Sequence, residues 1–135
     1  MFSVILHRYL SKKEVIIMKT ERITLKKGNK RISINAKVAC SIWKGIGLMF
    51  SRREKARILV FKFRKPTRMA IHSLFVFFPF IAVWTGSDGK VMEIRRVNPF
   101  SGYVCPSKPF ISLVEIPLSR KYKKIIQNIV GKGKI

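Results

Sequence analysis

Residues Ala70 to Trp84 read AIHSLFVFFPFIAVW, and the interpretation of this stretch decides the fold. It is the longest apolar run in the chain and carries no formal charge, taking His72 as neutral. Phe75, Phe77, Phe78, Phe80 and Trp84 all lie within it. So long an uncharged stretch in so basic a chain calls for burial, in protein or in lipid. A spanning helix needs about 20 consecutive apolar residues. This run is shorter, opens with His72 and Ser73, and holds Pro79 inside it. A proline in a helix interior costs about 3 kcal/mol. The β-branched and aromatic content suits strands. The run therefore predicts one or two buried strands interrupted near Pro79, with the proline at a strand start or bulge.

Outward from this run the pattern is mostly period two. Thr20 to Lys26 and Arg31 to Lys37 alternate around Lys27-Gly28-Asn29-Lys30. They predict a hairpin that buries Ile23, Leu25, Ile32, Ile34 and Ala36. Val38 to Arg53 changes to helical spacing and predicts a short helix. Further strands are expected at Arg57 to Phe63, Lys90 to Val97 and Phe110 to Ile116. Met92 and Ile94 should face inward on the second of these. Arg64 to Arg68 reads as a charged turn, Gly86 to Gly89 as a tight turn, and Asn98 to Pro109 as a loop. Ser119 can cap a C-terminal helix through Ile129, with Tyr122, Ile125, Ile126 and Ile129 on one face. The expectation is a mainly β, compact, sandwich- or barrel-like single domain. One short helix follows the first hairpin and another closes the chain.

Met1 to Ile17 stands apart. Its cations follow the apolar Met1 to Leu6, the reverse of a secretory signal. Lys13-Glu14-Val15 can be encoded as a ribosome-binding sequence at a suitable distance before Met18. Residues 1–17 therefore read as a non-native extension or tail, and residues 18–135 as the domain.

The chain has 29 Lys and Arg against 6 Asp and Glu, a formal net charge of +23. Non-specific attraction to nucleic acid at low salt follows from that balance alone. The candidate polyanion-binding residues are Arg52, Arg53, Lys55, Arg64, Lys65, Arg68, Arg120, Lys121 and Lys124, with Tyr103 as a stacking platform. No nucleic-acid motif accompanies them. Two cysteines, Cys40 and Cys105, are too few for a disulfide scaffold and suit free thiols in the cytoplasm. Acids are scarce and unpaired. Asp88 reads as a turn residue, and Glu115 as a partner for one of the many cations. His72 reads as a core residue, and a Cys105–His72 nucleophile pair is conceivable but has no local motif behind it. No cofactor or metal site is expected. A non-enzymatic domain that binds a ligand or a protein ranks first, a polyanion-binding module second and an enzyme last.

Several short segments, in order, resemble one family. They are Gly47-Leu48-Met49-Phe50 with arginines after it, the strand Leu59 to Phe63, and the Pro79 run leading to Asp88-Gly89-Lys90-Val91. Val114-Glu115-Ile116-Pro117 completes the set. Together they resemble uncharacterised protein family 0127, domain of unknown function 192, over roughly Ala36 to Gly131. Ile71-His72 through Phe77-Phe78-Pro79 resembles archaeal members. The resemblance implies a compact, mostly β fold and no settled activity. The family usually places an acid two positions after the central proline, where this chain has Ile81. His72 to Phe75 replaces a Trp-Met-Lys-Asn-type stretch of bacterial members. If those polar residues line a site in relatives, most of it is missing here.

Overall fold

The computed structural model describes residues 19–39, 48, 51–131 and 133. The expected extension before Met18, the bulk of the expected helix between Val38 and Arg53, and Cys40 lie outside them.

Period-two alternation becomes strand wherever the sequence shows it clearly. The six strands are β1 (Thr20–Lys27), β2 (Lys30–Val38), β3 (Leu59–Thr67), β4 (Phe80–Thr85), β5 (Val91–Val97) and β6 (Phe110–Pro117). They form one sheet in the order β1-β2-β3-β6-β4-β5. All neighbours pair antiparallel except β2 and β3, which share only Lys37↔Leu59 and Val38↔Val60. The helix α1 (Lys123–Val130) follows a 3-10 turn at Arg120–Tyr122.

The sheet curls. A bridge joins Lys26, near the end of β1, to Lys90, just before β5, so the two edge strands approach at one corner. Gly89 makes that approach possible. Its φ is +76°, and a Cβ there would lie 2.2 Å from the Thr24 carbonyl oxygen. No side chain can occupy that position without moving backbone.

Side-chain alternation divides the core into two sides. Leu25, Ile34, Ala36, Val60, Ile81, Val83, Val114 and Ile116 pack on one side. α1 closes that side with Ile126 and Ile129, both buried. Lys27 donates from Nζ to the Ile129 carbonyl at 2.8 Å, satisfying a last-turn carbonyl of the helix. The hairpin face and the helix face both match the expectation from periodicity. Ser119 does not cap the helix; its buried hydroxyl has no hydrogen-bond partner.

The other side holds Leu59, Phe61, Phe80, Ala82, Trp84, Phe110 and Leu113. Two long segments cover it. Residues 68–79 leave β3 beside Phe110 and return to β4 beside Pro117, at the opposite end of β6. Residues 98–109 run back the other way, from β5 beside Phe80 to β6 beside Thr67. Each therefore crosses the length of the sheet, and they meet at the Ile71–Val104 bridge.

This crossing corrects the reading of the central run. Phe80 to Thr85 is a fully buried strand with Pro79 just before it, as expected. Ala70 to Phe78 is not a strand. Val76 and Phe78 point into the core, while Leu74, Phe75 and Phe77 are exposed. The segment has to span the sheet lengthwise, so it cannot also join the ladder. Two smaller corrections concern β3 and β5. β3 continues through Arg64 and Lys65 to Thr67, with an irregularity between Lys62 and Thr67, where a charged turn was expected. In β5 a register shift opposite Trp84 and Thr85 turns Met92 outward and leaves Val91 and Ile94 on the α1 side. An extra residue in one strand moves its neighbours to the other face.

Candidate functional site

The polar chemistry of the covered side starts from β6. Leu113 and Glu115 share a face by alternation, and Glu115 is paired with Leu59 on β3 and with Ala82 on β4. Glu115 is buried. Among the described residues no hydrogen bond or ion pair reaches it. Burial pushes its carboxyl up to about 8, so it is largely protonated at neutral pH. The expectation that a cation would neutralise it is thus overturned. Ala82 also pairs with Arg95 on β5, which puts Arg95 in the same row as Glu115. Two strand spacings, roughly 9.6 Å, separate their backbones. Arg95 instead pairs with Glu93, two residues away on its own strand.

Around this row the side carries further unmet polar groups. Trp84 is fully buried, lies diagonal to Glu115, and has an indole N–H without a partner. The Arg95 guanidinium sits 5.8 Å from the Trp84 ring centroid. Glu93 accepts from the Ser107 backbone N–H at 2.8 Å and from its hydroxyl at 2.9 Å. Burial is the largest single influence on the Glu93 carboxyl and raises it, but the two Ser107 bonds and Arg95 together outweigh it and hold the carboxyl below the usual range. They also tie the 98–109 segment to β5.

The two crossing segments are stitched together at Ser73, a residue with no solvent exposure. Its hydroxyl donates to the Asn98 carbonyl at 2.6 Å and accepts from the Ser101 N–H at 2.8 Å. Its own N–H donates to the Ser101 carbonyl, and its carbonyl accepts from the N–H groups of Val76 and Phe100. One serine therefore fixes both segments. Phe100, beside this knot, takes φ +58°. For a bulky side chain the left-handed region costs about 1–2 kcal/mol.

The Phe100 ring faces outward. Phe100 is 60% exposed and meets Phe77 edge to face at 5.7 Å. Met69, Leu74, Phe75 and Tyr103 are exposed on the same two segments, Tyr103 at 87%. Neither segment, 68–79 or 98–109, contains an acidic residue. Single exposed apolar residues are ordinary; here several share one knotted layer.

The ten residues expected to bind polyanions are all exposed. They do not form one groove. Arg64, Lys65 and Arg68 lie at the Phe110 end of β6, with Tyr103 on the covering layer. Arg120, Lys121 and Lys124 follow Pro117 at the other end, about 23 Å away at the usual strand rise. Arg52, Arg53 and Lys55 enter β3 near Leu59, which pairs with Glu115 and so belongs to that second end. A cavity of about 370 Å³ opens there between Ser119, Arg120, Lys123 and Gln127.

Other chemistry finds little support in the geometry. His72 Nδ1 is buried without a partner, and among the described residues no hydrogen bond joins His72 to Cys105, whose thiol is free and exposed. Among the described residues no three His, Cys, Asp or Glu side chains are grouped to hold a metal. No described helix is long and apolar enough to cross a membrane. The apolar surface layer was missed in the sequence because its residues sit in the same run as core residues. One signal was available: Leu74, Phe75 and Phe77 occupy the part of the run before Pro79, where strand pairing would already be interrupted.

With this geometry in hand, comparison with known proteins gives a family. Residues 23–127 match the family described as "Uncharacterized ACR", domain of unknown function 192. The chain belongs to it. Curated proteins give no significant match. Two solved structures share the fold of this family member. One, from Sinorhizobium meliloti 1021, is described as a proposed transcription regulator. It is 19% identical with a TM-score of 0.68, covering 82% of this chain and 88% of the other. The second is a protein of unknown function from Novosphingobium aromaticivorans DSM 12444. It is also 19% identical, with a TM-score of 0.65 and coverage of 83% and 82%.

Proposed function

We propose that this domain is a non-enzymatic binding module that docks a partner through the outer layer formed by residues 68–79 and 98–104. One observation carries the proposal. Phe100 accepts a strained backbone beside the Ser73 knot and displays its ring to solvent. Strain that serves packing would bury the ring; strain that displays it points to function. The free thiol of Cys105 suits a reducing compartment, and we place the domain in the cytoplasm.

A photo-crosslinking amino acid placed at position 100 or 103 of the full chain, expressed in cells, tests this reading. A control position is Lys30, exposed on the hairpin. Discrete adducts at 100 and 103 but not at 30 are expected. Equal yields at all three positions would remove the docking surface.

A nucleic-acid module is the second reading. It draws on Tyr103, the most exposed of the large apolar and aromatic side chains among the described residues, and on Lys65 and Arg68. The separation of the basic clusters to opposite ends of β6 weighs against it, because single-strand binders track the backbone along a continuous basic groove. Titration of a single-stranded oligonucleotide at low and physiological salt decides the matter. Affinity that survives physiological salt and is lost in Tyr103→Ala would promote this reading.

A further inference from the structure

We propose that the partner of the outer layer is the surface of an anionic lipid bilayer, into which Leu74, Phe100 and Tyr103 insert to the depth of the headgroups. The inference rests on the docking reading above and names its occupant.

Three features select lipid over other occupants. The first is side-chain type. Met69 and Leu74 are aliphatic and exposed on the same covering layer as the aromatic rings. Bases stack on aromatic faces, and aliphatic chains offer no such platform. An acyl boundary accepts both, and tyrosine favours the interface itself because its ring is apolar and its hydroxyl wet.

The second feature is charge. Arg68 borders the layer at one end. Arg96, bonded from Nε to the Asn98 side chain, is exposed where the second segment leaves β5. The two segments contain no Asp or Glu between these cations. Cations around apolar residues fit a headgroup layer of negative charge, and each basic residue near such a surface adds to the attraction. A second copy of the chain is a poor occupant for the same reason. It would bring a formal +23 against +23.

The third feature is the shape of the insertion. The exposed residues lie on short irregular segments held on a sheet, not on a long apolar helix. Such segments can reach the headgroup and upper acyl region, about 5–10 Å deep, while their backbone groups stay hydrated or knotted through Ser73. Interfacial insertion with electrostatic attraction is the mode this geometry permits.

Vesicle flotation of the full chain tests the proposal. One set of vesicles is phosphatidylcholine alone; the other contains phosphatidylserine as well. Salt is set low and then physiological. The intact chain is expected to float with phosphatidylserine vesicles at both salts and weakly with phosphatidylcholine. The variant Phe100→Gly/Tyr103→Ser should bind roughly tenfold or more weakly, since burial of one such ring is worth at least that factor. Its melting temperature checks that the fold is kept. In a parallel arm, Phe100→Trp should show a blue-shifted emission on adding phosphatidylserine vesicles and no shift with a single-stranded oligonucleotide.

Vesicle binding that vanishes at physiological salt, or that ignores Phe100→Gly/Tyr103→Ser, would reduce the effect to charge adhesion and overturn the proposal. A response of the position-100 tryptophan to oligonucleotide alone would hand the surface to nucleic acid. If vesicles fail while crosslinks at position 100 persist in cells, lipid is the wrong occupant and docking stands. If both fail, the docking reading falls too.

Discussion

The two sides of the sheet are built to different standards. The side closed by α1 has aliphatic residues from every strand, a helix laid on them, and Lys27 reaching the helix end. One orphan group, the Ser119 hydroxyl, lies at its border. Among the described residues, the side covered by the crossing segments holds a buried Glu115 carboxyl that no hydrogen bond or ion pair reaches, a Trp84 indole N–H and a His72 nitrogen without partners, and a strained Phe100. Among the described residues, the first side leaves one polar group unmet and the second side several. Uncompensated cost concentrated on one side is what the proposed docking role of that side would require.

The sharpest way to break this comparison is Glu115→Gln. The Glu115 carboxyl rises from 4.5 to about 8 on folding. Between those values the folded chain holds a proton that the unfolded chain has released. The Glu115 contribution to stability is therefore fullest below 4.5, falls as pH rises through the window, and is gone above about 8. The whole excursion is worth roughly 5 kcal/mol at 1.36 kcal/mol per pH unit. Glu115→Gln should flatten that fall and leave the variant more stable than the parent at pH 8. Urea melts across the window check it; parallel curves for the two proteins would mean that Glu115 has a partner after all.

Next in size is Ile126→Ala. Truncation on the well-packed side should cost about 2–5 kcal/mol. The matching change on the outer layer, Leu74→Ser, should move stability by no more than about 0.5 kcal/mol, because Leu74 is half-exposed. Chemical denaturation measures both. Similar losses would erase the contrast between the two sides.

Between these lies a backbone test. Glycine adopts positive φ freely, and alanine does not. Phe100→Gly and Phe100→Ala both remove the ring, but only glycine relieves the strain. The glycine variant should be the more stable by roughly 1 kcal/mol. If alanine is the equal of glycine, Phe100 is not strained in solution, and the main support for a display role is gone.

Much of this architecture was legible in the chain itself. Alternation around Gly28-Asn29 placed the first hairpin and its inward residues. The uncharged run placed β4 and Pro79 at its start. Helical spacing placed Ile126 and Ile129 on the buried face of α1. These are local matters, because a repeat of two or 3.6 residues already says which side chains share a face. The partner strands decided the rest. Ala70 to Phe78 had the composition of a strand, yet it must travel the length of β6 to reach β4, and the return segment fixed it through Ser73. Met92 obeyed the alternation until a register shift reversed it. Among the described residues Glu115 has no cation partner, because alternation on β6 faces it into the core, opposite Leu59 and Ala82. Which end of the sheet each basic cluster occupies followed from the order β1-β2-β3-β6-β4-β5. Register and strand order arise from contacts between residues far apart in the chain, so they belong to the tertiary structure and to no single stretch of sequence.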